Sequence, residues 1–256
     1  MRTLLPAALL LATTGCGLSM HMQGFSVSDH DGRMFVDGVA VDHHREVSLQ
    51  GQMDTDLRLV LNSATGLIDV VGGPGDTYEL VVDLYSEFEG DGEVVLEDGQ
   101  LTTDSELGGK LLVNGIRGRL PQGINLEVEA GTGQVLITSF IGAAEVRVST
   151  GTGDVQLTSC DLGSLRVQSG TGEVGTQDVS SDRVRLKLGT GSLTAVSSEF
   201  GMLDGDSGTG DFRFQDCRVD SARFVSGVGD VRLTDTLVSE MSSTLGTGRV
   251  LNTATD

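Results

Sequence analysis

At 256 residues with 38% of them apolar, the chain can bury a core and falls outside the disordered class. Its 37 Gly, 3 Pro, 4% aromatic content and lack of Trp describe many tight turns joining short strands. Seventeen Lys and Arg against 37 Asp and Glu give a formal charge of −20, a field that repels phosphate backbones and excludes nucleic acid as an expected partner.

The first stretch, "MRTLLPAALLLATTGCGLSM", has a basic residue at Arg2, an apolar run to Leu11 and small residues up to Cys16. This is the layout of a secretory signal, too short to span a bilayer. "TTGC" resembles the bacterial lipobox, although Thr13 replaces the commoner Leu. The resemblance implies cleavage after Gly15 and lipidation of Cys16, leaving residues 16–24 as a lipidated tether; an ordinary signal with an incidental cysteine is the alternative. Several acyl chains, at about 0.8 kcal/mol per buried methylene, would hold the chain on a membrane. Gly17 stands where an inner-membrane retention Asp would sit, so the expected address is the outer membrane of the cell envelope.

Residues 25–130 are expected to form irregular β coils continuous with the repeats that follow. "LRLVLNSATGLIDVVG" reads as strand, glycine corner and strand around Gly66, and "TYELVVDLYSEF" as a longer strand. "GEVVLEDGQLTTDS" predicts a lateral hairpin about Asp98-Gly99. A separate small β-domain ending near Gly109 is the alternative. Asp29, His30, Asp31, His43 and His44 form the one cluster of metal-ligand types in the sequence. Their spacing is generic and Asp31-Gly32 is an ordinary turn signal, so neither metal nor cofactor is expected.

From residue 131 to 256 one phrase returns: GTGQV, GTGDV, GTGEV, GTGSL, GTGDF, GVGDV, GTGRV. Its first glycines, Gly131, Gly151, Gly170, Gly189, Gly208, Gly227 and Gly246, are separated by one step of 20 and then by steps of 19. Such a period predicts a solenoid, and apolar alternation within each unit makes its sides strands. Four places after the first glycine stand Val135, Val155, Val174, Leu193, Phe212, Val231 and Val250; six places after it, Ile137, Leu157, Thr176, Ala195, Phe214 and Leu233. Leu165, Val184, Leu203, Ala222 and Met241 form a third inward column. The fold expected is all-β, a single-stranded parallel β-solenoid wound right-handed, with two strands per coil and a third short side near Cys160. Neither glycine-rich phosphate-loop pattern is present, so the glycines read as a corner permitting positive φ and close backbone approach.

Cys160 and Cys217 are three coils apart, about 14 Å, beyond the reach of a disulfide, and are expected to be free and buried. Outward columns carry the charge: Asp154, Glu173, Asp211 and Asp230 just past the corner, and Arg147, Arg166, Arg185 and Arg223 on the second strand, interrupted by Asp204. The bland reading is two solvated faces; the sharper one is an acidic rim for cations or glycan and a basic stripe for an anionic polymer. No catalytic residue is singled out.

"LPQGINLEVEAGTGQVLITSFIGAAEVRVSTGTGDVQL" resembles a family of bacterial putative adhesins with a β-strand-repeat domain of unknown function, over roughly residues 25–256. The resemblance carries over no catalytic residue; with the lipobox and the short, uniform coils, the function expected is a non-enzymatic envelope lipoprotein whose rigid rod binds or scaffolds an envelope protein or a glycan. A polysaccharide-binding or polysaccharide-cleaving β-helix, and a self-assembling polymer like bactofilins, are the alternatives.

Overall fold

The computed structural model describes residues 19–22, 25–30, 33–54 and 58–253. The signal segment 1–15, Cys16, part of the tether, Asp31 and the side chain of His30 lie outside the described residues. All regular structure described is β, and no helix there is long and apolar enough to cross a membrane.

An antiparallel meander comes first: β1 (Ser19–Met22), β2 (Phe25–His30), β3 (Arg33–Val36) and β4 (Val39–Ala40). Val27, Val36 and Val41 pack it onto Ala64 and Leu112 of the body. Next come β5 (His43–Gln52), β6 (Arg58–Thr65), β7 (Ile68–Gly73), β8 (Thr77–Ser86), β9 (Glu93–Glu97), β10 (Gln100–Asp104) and β11 (Leu111–Pro121). Here winding is incomplete: β8 runs antiparallel to both β5 and β11, while β11 is parallel to β7. β9 and β10 form the predicted hairpin, with Asp98 at φ 49° and Gly99 at φ 75°, the left-handed pair a two-residue turn requires.

The regular solenoid follows as long and short strands in alternation. The long ones are β12 (Asn125–Thr132), β14 (Ile141–Thr152), β16 (Asp161–Thr171), β18 (Ser180–Thr190), β20 (Glu199–Thr209), β22 (Arg218–Val228) and β24 (Leu237–Thr247). Between them lie β13 (Val135–Thr138), β15 (Val155–Thr158), β17 (Val174–Gln177), β19 (Leu193–Val196), β21 (Phe212–Gln215), β23 (Val231–Thr234) and β25 (Val250–Thr253). Long strands stack in parallel through β6 into a ten-stranded sheet, and short ones through β7 into an eleven-stranded sheet. Equivalent residues pair directly, as in Val155↔Val174↔Leu193 and Thr152↔Thr171↔Thr190, so the 19-residue period is the register. In β16 the inward alternation is broken between Leu162 and Leu165, where both intervening residues are partly exposed.

Apart from Val250 and Met241, the three inward columns lie in one continuous buried core from Met53 to Leu233. Thr176 and Ala195 are as buried as their apolar neighbours. Phe212, Phe214 and Phe224 fill one level with ring centroids 5.0 and 5.5 Å apart, where glycine at 205 leaves them room. Val250 and Met241 depart from their columns at 36% and 42% exposure, having no covering coil among the described residues.

Each coil turns at two kinds of corner. In the glycine phrase the second glycine takes φ of +139 to +157° at Gly133, Gly153, Gly172, Gly210, Gly229 and Gly248. A Cβ on Gly153 would stand 1.7 Å from the Gly133 carbonyl oxygen one coil below, so the corner is closed by backbone on backbone. Sequence reasoning missed the other corner: Ser139, Ser159, Asp178, Ser197, Asp216 and Asp235 adopt φ of 47 to 58°. The signal was a column eight places after the first glycine that holds Ser or Asp in six of the seven repeats, Ala254 ending it, types that tolerate the left-handed region. The next residue fastens the turn where it can: Ser198 and Thr236 donate to carbonyls two residues back at 2.8 Å, and the Cys160 and Cys217 thiols do so at 3.3 and 3.1 Å. Both cysteines are free and buried, and burial pushes their thiols above the ordinary range.

Candidate ligand-binding face

Because strands alternate sides, each sheet offers one solvated face with side chains in columns. Three of the four carboxylates of the acidic column, those of Asp154, Asp211 and Asp230, tie coil to coil. Asp154 Oδ1 accepts the Glu173 N–H at 2.8 Å, Asp211 Oδ1 that of Asp230 at 2.8 Å, and Asp230 Oδ1 that of Arg249 at 3.0 Å. Ser192 does the same for the Asp211 N–H at 3.1 Å. Arg213 and Arg232 reach the other Asp211 oxygen at 2.6 and 2.8 Å, and Arg232 also meets Asp230 at 2.9 Å. The Asp230 N–H foremost, with these two guanidinium groups, holds the Asp211 carboxyl below the usual range. Carboxylates so engaged have little left for a ligand.

The arginine column is in register but not uniform. Arg147, Arg166 and Arg185 stack directly across β14, β16 and β18, followed by Asp204 and Arg223 on β20 and β22. Arg147 is held by Glu145 at 2.8 Å, and Arg223 by Asp204 and Asp206 at 2.7 and 3.4 Å. Arg185 lies 3.6 Å from that shared Asp204. Arg166 forms no ion pair among the described residues. Two residues absent from the sequence-based set join it: Arg183 and Lys187, outward on β18 beside Arg185, are exposed and likewise without an ion pair among the described residues. What marked them was their i, i+2, i+4 spacing along one strand.

The opposite face differs. Over β15, β17 and β19 the eleven-stranded sheet shows Gln156, Thr158, Gln177 and Thr194 outward, with no charged side chain. Toward β5 it opens into a groove of about 900 Å³ with Val71 and Val81 between Asp69, Glu79, Arg117 and Arg119. Arg117 is taken up by Glu46 and Asp83. His44 stacks on Tyr85 at 4.7 Å and stands 3.5 Å from Asp83. Among the described residues no three His, Cys, Asp or Glu side chains come together to hold a metal ion.

A family model described as Toastrack DUF4097 matches residues 113–243, just over half the chain. No curated protein matches the sequence. Among solved structures, a putative adhesin of Bacteroides fragilis is 16% identical, with a TM-score of 0.57 covering 82% of this chain and 97% of that one. A putative adhesin of Parabacteroides distasonis is 12% identical, with a TM-score of 0.51 over 84% and 98%. A putative lipid binding protein from the same species is 10% identical, with a TM-score of 0.51 over 83% and 97%. At these identities the likeness is one of fold.

Proposed function

The chain belongs to the Toastrack DUF4097 family, and from that premise we propose that it is a non-enzymatic envelope lipoprotein, a rigid β-solenoid that binds or scaffolds a partner on its sheet faces. The observation that carries this reading is the in-register stacking of equivalent residues from β12 to β24, which turns single side chains into fixed outward columns. A surface built this way is pre-organised, so a partner spanning several coils orders little of it on binding. Both faces are open sheets, a form suited to holding an extended ligand more than to enclosing a scissile bond. The lipobox-like "TTGC" and the names of the adhesin-like structural relatives support an envelope address.

Two measurements test it. Radiolabelled palmitate is expected to enter the wild-type chain in a bacterial host and to be lost from Cys16→Ala. The full-length chain is expected to adsorb saturably to envelope material and to leave polygalacturonate and alginate uncut. Absence of saturable adsorption, or depolymerisation of either glycan, would refute the binding-module reading.

A further inference from the structure

Deepening the binding-module reading, on which it rests, we propose that the outer face of β16 and β18 is a site for a single acidic glycan chain, held by Arg166, Arg183, Arg185 and Lys187. Arg183, Arg185 and Lys187 alternate along one strand and so project from the same face about 7 Å apart. Arg166 stands directly beside Arg185 one strand away, Ser164 beside Arg183 and Gln168 beside Lys187. Cations in a row, flanked by a hydroxyl and an amide, match a chain that carries carboxylates among hydroxyls.

The cost of this arrangement points the same way. Like charges directly opposite across strands are destabilising, yet Arg147, Arg166 and Arg185 stack in three successive strands. With 37 carboxylates against 17 cations, partners for them abound in the composition. Nevertheless Arg166, Arg183 and Lys187 form no ion pair among the described residues. The other described cations in that condition stand apart, Arg45 on β5, Arg119 on β11 and Arg249 between β24 and β25. Glu145 and Asp204 offset part of this repulsion from the two ends of the stack, and an anionic ligand would offset what is left between them.

The surroundings select the ligand's shape. Glu127 and Glu145 border the cations on the β12 and β14 side, and Asp204 and Asp206 on the β20 side. From β14 to β20 is three strand steps, about 14 Å. A narrow chain running along the strands fits between these carboxylate fences, whereas a nucleic-acid duplex or a bilayer would press phosphates onto them. The site is also in mid-sheet, so a peptide has no free strand edge to pair with.

The test uses the full-length chain with a labelled oligogalacturonate, beside neutral maltooligosaccharide, polyglutamate and duplex DNA. Oligogalacturonate is expected to bind in preference to the other three, and to weaken at least tenfold when salt rises from about 50 to about 300 mM. Arg166→Gln/Arg183→Gln/Lys187→Gln should lower its affinity at least tenfold with no loss of thermal stability, since the change relieves repulsion. Arg119→Gln/Arg218→Gln/Arg249→Gln, an equal change in net charge elsewhere, should leave affinity unchanged. No binding by wild type, undiminished binding by the first variant, or equal affinity for polyglutamate or DNA overturns the site. If envelope material still adsorbs saturably in those cases, the site falls alone; if that adsorption fails as well, the module reading falls with it.

Discussion

The two corners of each coil solve the same problem by opposite means. At the glycine corner the chain sheds its side chains so that carbonyls of one coil can sit where Cβ atoms of the next would be. At the Ser/Asp corner it keeps a side chain in a left-handed conformation and fastens the turn with hydrogen bonds two residues back. The first corner admits nothing larger than hydrogen; the second needs only a residue that accepts positive φ. A repeat can therefore be strict in one place and variable in another while keeping one period.

The contrast is most exposed to failure at the glycines. Gly172→Ala, whose methyl would lie 2.1 Å from the Gly153 carbonyl oxygen, is expected to cost about 3 kcal/mol or more, read as a fall in the denaturation midpoint. A cost below about 1 kcal/mol would show that the close approach is dispensable. Next is the tie between coils. Asp211→Ala removes the acceptor of the Asp230 N–H and should cost about 1–2 kcal/mol. The Asp211 carboxyl is held below its usual range, so its contribution is complete above the ordinary carboxylate pKa of about 4 and is lost as pH falls through its lower folded value. Asp211→Asn keeps an acceptor but not the charge, and should flatten the acid side of the stability curve without abolishing the tie.

Smaller effects belong to the tolerant corner. Asp178→Gly relieves a non-glycine φ of 54° but loosens the unfolded chain, and the two should cancel to within about 0.5 kcal/mol by chemical denaturation. Cys160→Ser restores the donor found at Ser198 of an equivalent corner and should cost under about 1 kcal/mol. In the native protein both thiols should resist alkylation near pH 8 and react after denaturation.

What could be read beforehand follows from the same physics. Val135 to Val231 and Ile137 to Leu233 were legible as inward columns because stacking makes one position's environment recur in every coil. The Asp98-Gly99 hairpin was legible because two-residue turns have narrow chemistry. The Ser/Asp corner was not, since neither type demands positive φ by itself. The acidic rim was read as a solvated face or a cation or glycan site, and neither reading foresaw that Asp154, Asp211 and Asp230 bind backbone, because a side chain's choice between solvent and the N–H of the next coil depends on register. Arg147 and Arg166 look alike in sequence, yet the Glu145 carboxylate is 2.8 Å from the first and acts on the second only at longer range.

The period also sets reach. Because each winding meets its neighbours through the same pairs of positions, excising or duplicating 19 residues within β14 to β22 would join surfaces already suited to each other. Each such event would shorten or lengthen the rod by one strand spacing, about 4.8 Å, without a new kind of contact. Span thus becomes a quantity that heredity can adjust in equal increments, independently of whatever the surface holds.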